Sequence, residues 1–490
     1  MRIAVLTPPL LSQKGDVLGS GIPFWPIEAA YVAAALRAAG HGVKVVDGFG
    51  EAPKRKWDYR GGYVVQGLKP GESAAKIPPE TGMVVLSTGA SASANSTSSY
   101  SLSLELVSLA KKSGRAKIVA TGLLATNYFK DFLEAGADFV VLGEPEETVS
   151  LLASGKARPE SLDGIAFRRA GRLVVKPKTR FIADLDSLPF PAFELFPLES
   201  YWGIGYAHGP IKGKYLPILA SRGCPYCCAF CAVPAASQRK WRPRSAENVV
   251  DEMERGVKEF GVRDFHFEDY NPTFGKERVV SLCKEILKRK LKISWKLAAG
   301  SKAETLDAKM LWWMKKAGCD YISISPESGS PRVLRLMKKP FDHAHGLEAV
   351  RLMHSLGIVS QACFVLGFPG ETDEDLALTK DYVGKLARAG LDEIALFIMT
   401  PLPGSEAMRE GKWDYREVEE LTFSPKWRKD YGRLARARRD LYLHFFALKS
   451  LSHPGRMAKS ALNVLRRKYD TKTEMTAYRA FTMLRPRLRR

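Results

Sequence analysis

Long apolar runs are missing from this chain of 490 residues, and with no stretch of about eighteen apolar residues a membrane-spanning helix is excluded. Cysteine is scarce, seven residues in all, and three of them, Cys283, Cys319 and Cys363, stand alone inside apolar segments. No secretory leader is read at the start, so a disulfide framework is not expected and these three are read as buried core thiols. No Gly-x-Gly-x-x-Gly follows the first apolar strand, which argues against a dinucleotide. Carboxylates are outnumbered, 53 Asp or Glu against 75 Lys or Arg for a formal charge of +22. Most of that excess lies in residues 426–490, which carry 19 Lys or Arg against 4 Asp or Glu, a net +15. The body before it is closer to balance. The chain is 45% hydrophobic and long enough for two or three domains with their own cores.

What is present is a cluster. Gly223-Cys224-Pro225-Tyr226-Cys227-Cys228-Ala229-Phe230-Cys231 packs the other four cysteines into eight residues directly after the strand-like run 215–219. A structural zinc is more often held by a distributed set of paired Cys-x2-Cys knuckles. Three thiolates from one short loop suit an iron–sulfur cluster that keeps one iron free of protein ligands. A structural zinc loop stays open at this point.

Beyond the loop, β-rich runs at 264–268, 293–297, 321–325, 360–365 and 393–399 follow the run at 215–219. Helical patterns lie between them at 246–257, 276–288, 308–317 and 373–389. Six β-α units in parallel order predict an open partial (β/α)6 barrel with its reactive groups at the carboxyl ends of the strands, where the cysteine loop falls. The other strand ends carry matching groups: Glu268-Asp269 after the second, Ser325-Pro326-Glu327-Ser328 after the fourth, and Gly367-Phe368-Pro369-Gly370 after the fifth.

Cys224, Cys228 and Cys231 read Cys-x3-Cys-x2-Cys with Phe230 before the last, and residues 210–405 as a whole resemble a radical S-adenosylmethionine (AdoMet) domain. The resemblance implies a [4Fe-4S] cluster on Cys224, Cys228 and Cys231, whose free iron chelates AdoMet. It implies one-electron cleavage to a 5′-deoxyadenosyl radical and an external electron donor of flavodoxin or ferredoxin type. Cys227 is then spare. Tyr226, Phe230, Glu268, Asp269, Ser325, Glu327, Ser328, Gly367 and Gly370 are the expected AdoMet contacts.

The N-terminal region reads as a five-stranded doubly wound sheet, with strands at 2–6, 43–46, 83–86, 117–120 and 138–142 and helices at 27–39, 102–112 and 128–135. Pro8-Pro9, the segment 23–39, Gly40-His41-Gly42 leading to Asp47, and Gly143-Glu144-Pro145-Glu146 resemble the cobalamin-binding domain found ahead of many radical AdoMet domains. The connector 184–193 does too. Expected cobalamin contacts are Pro8, Pro9, Ser87, Thr88, Gly89, Gly122, Gly143 and Glu144. The chain departs from relatives by having no Asp-x-His-x-x-Gly to supply a lower cobalt ligand, and Gly122-Leu123-Leu124 where Gly-Gly-His is frequent. A cobalamin-free Rossmann-like domain is the alternative. His41 and His266 are assigned no role.

The expected division is a cobalamin-binding domain at 1–155, a linker at 156–209, the barrel at 210–405 and a basic, mainly helical domain at 406–490. The resemblance implies a cytoplasmic C-methyltransferase acting on a small molecule at an unactivated carbon. A cyclase or carbon–carbon bond-forming enzyme on a tetrapyrrole or lipid is the alternative. A nucleic-acid-modifying methylthiotransferase is disfavoured because the N-terminal region lacks that family's additional cysteine triad. The basic tail, with Leu441, Leu443, Phe445, Phe446 and Leu448 on its apolar side, reads either as a helical cap on the barrel or as a peripheral contact with an anionic membrane. Nucleic acid is not expected, since no recognised binding module accompanies the charge.

Overall fold

A computed structural model describes residues 1–16, 19–89 and 99–484, with side chains through residue 480. The chain forms two compact units. The first is Met1–Ile204 with Leu402–Gly404 and Met408–Thr422; the second is Gly205–Pro401 with Ser405–Ala407 and the residues from Phe423 onward.

Short runs of Ile, Val and Leu buried on both faces build the first unit's sheet, the signature of parallel strands covered by helices on either side. Five parallel strands lie in the spatial order Gly42–Asp47, Arg2–Thr7, Met83–Ser87, Lys117–Thr121, Phe139–Val141, so all five expected strands are present. This is the 2-1-3-4-5 order, whose switch point lies between Arg2–Thr7 and Met83–Ser87. The sheet is larger than the sequence reading allows. Ile165–Arg169 pairs antiparallel with Phe139–Val141, and Arg172–Lys176 pairs with it in turn across Ala170-Gly171, both at positive φ as a tight hairpin turn requires. Residues 156–204 of the expected linker are therefore part of this unit, and 205–209 belong to the second. Their Arg-rich, half-exposed strands lack the apolar pattern that marks the buried ones. A second small antiparallel sheet, Leu10–Gln13 with Tyr63–Gln66 and Lys56–Tyr59, is also absent from the sequence reading.

The second unit is a six-stranded parallel sheet in strict chain order: Tyr215–Ile218, Asp264–Phe267, Ser294–Ser301, Cys319–Glu327, Val359–Leu366 and Glu393–Ile398. Its helices begin where side-chain oxygens can take the first free N–H groups. Ser245 caps 246–260, Asp307 caps 308–316, Asp342 caps 343–355, and Thr372 forms a capping box with Asp375. The C-terminal segment adds helices Tyr431–Ser452, Pro454–Arg466 and Lys472–Leu484 and clusters with the barrel instead of standing apart. Leu434, Leu441 and Phe445 are buried where the helix Tyr431–Ser452 packs on the helix Asp373–Arg388. Among the described residues no helix is long and apolar enough to cross a membrane.

Candidate active site

The first barrel strand delivers the cysteine loop. Ser221–Arg222 pairs antiparallel with Arg242–Pro243 and closes the loop's stem. Gly223 turns it at φ +82, and a Cβ there would strike the carbonyl of Lys240, so only glycine serves. The Ala229 N–H donates to the Met337 carbonyl at 2.9 Å, and that of Cys231 to the Cys228 carbonyl at 3.1 Å. Cys224, Cys228 and Cys231 are half-buried; Cys227 is exposed. Burial pushes the Cys228 thiol up to about 11 and Cys231 up to about 12, and raises Cys224, while the Lys339 ammonium pulls each of them down. The three thiols also act on one another, as groups around one space do.

A multi-iron cluster fits this donor set. Desolvated thiols stay protonated until a strong cation displaces the proton, and three thiolates binding three separate irons need not meet at one point. Accordingly, no three His, Cys, Asp or Glu side chains among the described residues converge to hold a single ion.

Around the loop, several expected AdoMet contacts gather. Lys302 lies over the Tyr226 ring at 4.7 Å and Lys339 over Phe230 at 5.9 Å. Lys339 bonds Glu327 at 2.5 Å, and Glu327 sits at φ +64, a strained setting for a non-glycine residue at a strand end. Ser325 is half-buried beside Gly300, where a Cβ would meet its hydroxyl. Gly370 keeps φ +88, while its carbonyl accepts from Arg332 at 2.6 Å.

Three expected contacts are instead spent inside the protein. Asp269 is fully buried, accepting from the Ser221 hydroxyl at 2.5 Å and the Ala220 N–H at 3.1 Å, so it anchors the cysteine loop rather than facing a ligand. Ser328 is fully buried, with its hydroxyl between Thr379 and the Ser330 N–H. At Gly367 a Cβ would strike Leu434, so the space this glycine leaves is filled by the C-terminal helix; its N–H is taken by Glu371.

The sequence reading missed a polar cluster below these ends. His208 shares a hydrogen with Glu268 at 2.7 Å, and its Nε2 lies 3.5 Å from Lys472, whose ammonium donates to the Ala298 carbonyl at 2.7 Å. Burial lowers the pKa values of both His208 and Lys472. Glu393, at the foot of the last strand, takes the Lys472 and Thr473 N–H groups and the Tyr321 hydroxyl, fixing where the last helix begins. A lone Lys 264 residues from His208 and 174 from Ala298 gives no sequence signal. His266 is a packed strand residue, stacked on Tyr215 at 4.6 Å.

In the first unit the expected cobalamin residues line the carboxyl edge of the parallel strands. Pro8 and Pro9 follow Arg2–Thr7; Ser87, Thr88 and Gly89 end Met83–Ser87; Gly122 and Gly143-Glu144 follow the next two strands. Pro8-Pro9 and Thr88-Gly89 therefore flank the switch point. Not every side chain is free to face a ligand. The Ser87 hydroxyl donates to buried Glu28 at 3.0 Å, Thr88 to the Thr121 carbonyl at 2.8 Å, and Glu144 accepts from the Ile182 N–H at 3.0 Å. Asp47 is closed off by Thr7, Tyr201 and Gly50. What remains among the described residues is backbone: Gly89 has φ +84 with none of them within 4 Å of where a Cβ would stand, and Gly122 at φ +98 is pressed on Thr88 and Gly89. An uncharged, glycine-lined edge fits a broad neutral ring held by shape. His41 opens the strand Gly42–Asp47 at its other end.

Residues 218–383 match the family model of the radical SAM superfamily. An uncharacterized methyltransferase of Pyrococcus horikoshii is 27% identical over 88% of this chain and 86% of its own length. The cytidylyl-2-hydroxyethylphosphonate methyltransferase of Streptomyces wedmorensis is 26% identical over 88% and 90%. The anaerobic magnesium-protoporphyrin IX monomethyl ester cyclase of Cereibacter sphaeroides is 27% identical over 92% and 71%. Among solved structures, the radical S-adenosylmethionine methyltransferase TsrM from Kitasatospora setae superposes with a TM-score of 0.64 at 17% identity, covering 83% of this chain and 73% of that one. The cobalamin-dependent S-adenosylmethionine radical enzyme OxsB gives 0.59 at 17%, covering 90% and 56%. The radical SAM match thus falls within the barrel unit. The likeness in fold extends over 83% and 90% of this chain, to one protein solved with cobalamin and a [4Fe-4S] cluster and another solved with aqua-cobalamin.

Proposed function

We propose that this protein is a cobalamin-dependent radical SAM C-methyltransferase acting at an unactivated carbon of a small molecule. The observation that carries the reading is the presence of two edges in one chain: a three-thiol loop around Lys339, and a 2-1-3-4-5 sheet whose switch-point edge, among the described residues, presents backbone. When bound, the [4Fe-4S] cluster and AdoMet supply a hydrogen-abstracting radical, and cobalamin supplies the methyl group. The chain's own residues bind and orient. Cys224, Cys228 and Cys231 hold three irons, leaving Cys227 in solvent. Tyr226, Phe230, Ser325 and Glu327 face AdoMet, with Glu268 held in place by His208. Pro8, Pro9, Thr88, Gly89, Gly122 and Gly143 cradle the corrin through backbone.

The electron comes from a flavodoxin- or ferredoxin-type donor. The substrate is lipid-like or a tetrapyrrole, and the enzyme is cytoplasmic. The Cereibacter cyclase, matching 92% of this chain, favours ring closure on a tetrapyrrole as the second reading.

The test is anaerobic purification with AdoMet and hydroxocobalamin, then mass spectrometry of lipid, porphyrin and peptide extracts from a deletion strain. A compound lacking one methyl group in the deletion strain supports methyl transfer, whereas an unclosed ring precursor supports the cyclase. Protein that loads its cluster but retains no cobalamin through gel filtration overturns both in favour of a cobalamin-free first unit.

A further inference from the structure

The helix Pro454–Arg466 is mounted inside out. A helix on a globular body ordinarily turns its apolar stripe inward and its polar side to water. Here the attached side makes polar bonds, beside half-buried Met457 and Val464: Arg456 bonds Asp392 at 2.5 Å, Ser460 donates to Glu474 at 2.6 Å, and Asn463 donates to Asp470 and Glu474 at 3.1 and 3.3 Å. None of its residues is buried. The stripe formed by Pro454, Ala458, Ala461, Leu462 and Leu465, at the three- and four-residue spacing of one helix face, is turned to solvent, and Leu451, at the end of the preceding helix, is exposed as well. Leu451 is 81% exposed and Leu465 80%. The preceding helix buries Leu434, Leu441 and Phe445 on the barrel unit, so of the apolar residues expected from the sequence to meet a membrane Leu441 and Phe445 are used elsewhere, while Leu443 is 62% exposed.

Charge identifies what covers the stripe. Between Asp440 and Asp470 the sequence holds no Asp or Glu, while Arg466, Arg467 and Lys468 stand exposed where the stripe ends and Lys459 flanks it. A second copy laid on this face by two-fold symmetry would bring its own cations against these, which is repulsive. Nucleic acid would satisfy the cations and leave the leucines in water. An anionic bilayer meets both, taking the apolar face into the acyl boundary and the basic rim to its headgroups. We propose that the helix Pro454–Arg466, with Leu451 ahead of it, docks this protein on an anionic lipid surface. The inference stands independently of the methyl-transfer reading.

The experiment is co-sedimentation of the full chain, cluster loaded, with vesicles of phosphatidylcholine alone and of phosphatidylcholine mixed with phosphatidylserine. Two variants join it: Leu451→Gln/Leu462→Gln/Leu465→Gln and Arg466→Ala/Arg467→Ala/Lys468→Ala. These exposed changes should leave the thermal midpoint and substrate-free AdoMet cleavage as in the parent. The parent should bind the mixed vesicles at least about tenfold more tightly than the neutral ones. High salt, where the screening length falls to ~3 Å, should weaken binding without abolishing it. Each variant should lose about tenfold or more on the mixed vesicles. Equal or negligible parent binding to both vesicles overturns the proposal, as do variants that bind like the parent. A leucine variant that leaves vesicle binding intact but shifts the parent's oligomeric state in light scattering also overturns it, in favour of a contact between copies.

Discussion

The two parallel sheets of this protein use their carboxyl edges in opposite ways. Around the barrel's edge and interior, titratable side chains gather: three thiols about Lys339, Glu327 bonded to Lys339, and Glu268 with His208 and Lys472. The first unit's edge turns its carboxylates inward. Glu28 is consumed by Ser87 and Thr121, and Asp47 by Thr7, Tyr201 and Gly50, leaving backbone and glycine outward. A group held by covalent ligands marks the chain through residue type. One held by shape marks it through φ and through the space a Cβ would fill.

The largest expected effect tests the first kind of edge. Replacing Cys224, Cys228 or Cys231 by Ala removes one iron ligand, and each should abolish the cluster's visible absorbance and AdoMet cleavage down to background. Exposed Cys227→Ala should keep both. The opposite pattern, with Cys227 needed and Cys228 dispensable, would break the register and the edge built on it.

Gly122→Ala tests the second kind. At φ +98 an added methyl meets the Thr88 hydroxyl and the Gly89 backbone, a strain of roughly 1–3 kcal/mol that displaces the loop at the switch point. Cobalamin retention on gel filtration should weaken by about tenfold or more, since each ~1.4 kcal/mol is tenfold. The barrel's cluster absorbance should not change. Joint loss of cobalamin and cluster would show that the variant misfolds both units, and the contrast drawn between the edges would fail.

This contrast also explains how much was legible beforehand. All six barrel strands and the five parallel strands of the first unit follow from buried β-rich runs, because parallel strands covered on both faces leave continuous apolar signals. The cysteine loop is equally plain, since thiols at that spacing have few other uses. The antiparallel additions Ile165–Arg169 and Arg172–Lys176 were not legible, because edge strands carry arginine and half-exposure like a linker. Nor could alternation along the chain tell Glu268 from Asp269. Adjacent residues at a strand end point opposite ways, and only the structure shows Asp269 bonded to Ser221 and Ala220 while Glu268 meets His208. Lys472 belongs to the same class, a long-range contact with no local pattern.

A smaller effect tests how the barrel's fifth strand end is held. Burial pushes the Glu371 carboxyl up to about 7; the Gly367 N–H it accepts and the guanidinium groups of Arg428 and Arg433 oppose that rise. Its folded value lies above the usual 4.5, so the folded state keeps the proton that the unfolded chain has lost. The contribution of this group to stability is therefore fully present below about 4.5 and is lost as pH rises to about 7. Glu371→Gln keeps an acceptor for Gly367 and removes the titration. Relative to the parent, the variant should gain roughly 1–3 kcal/mol in urea unfolding between pH 5 and pH 8. A difference that stays flat across that range would show the carboxylate to be solvated, and the strand end looser than described.

The smallest expected effect is none at all, and it falls on the first unit's one histidine. His41 precedes Gly42–Asp47, whose carboxyl end at Asp47 belongs to the ligand edge; six residue steps of about 3.3 Å put His41 roughly 20 Å away, at the sheet's amino edge. There it lies 3.4 Å from the N-terminal amine, and burial together with that positive charge lowers its pKa. A group so placed cannot reach below a cobalt held at the opposite edge. Protein loaded with cobalamin should show a base-off spectrum, and His41→Ala should leave both the spectrum and the amount retained unchanged. A spectral shift on that substitution would mean that cobalamin sits at the amino edge, and the glycine-lined edge at Gly89 and Gly122 would lose its assignment.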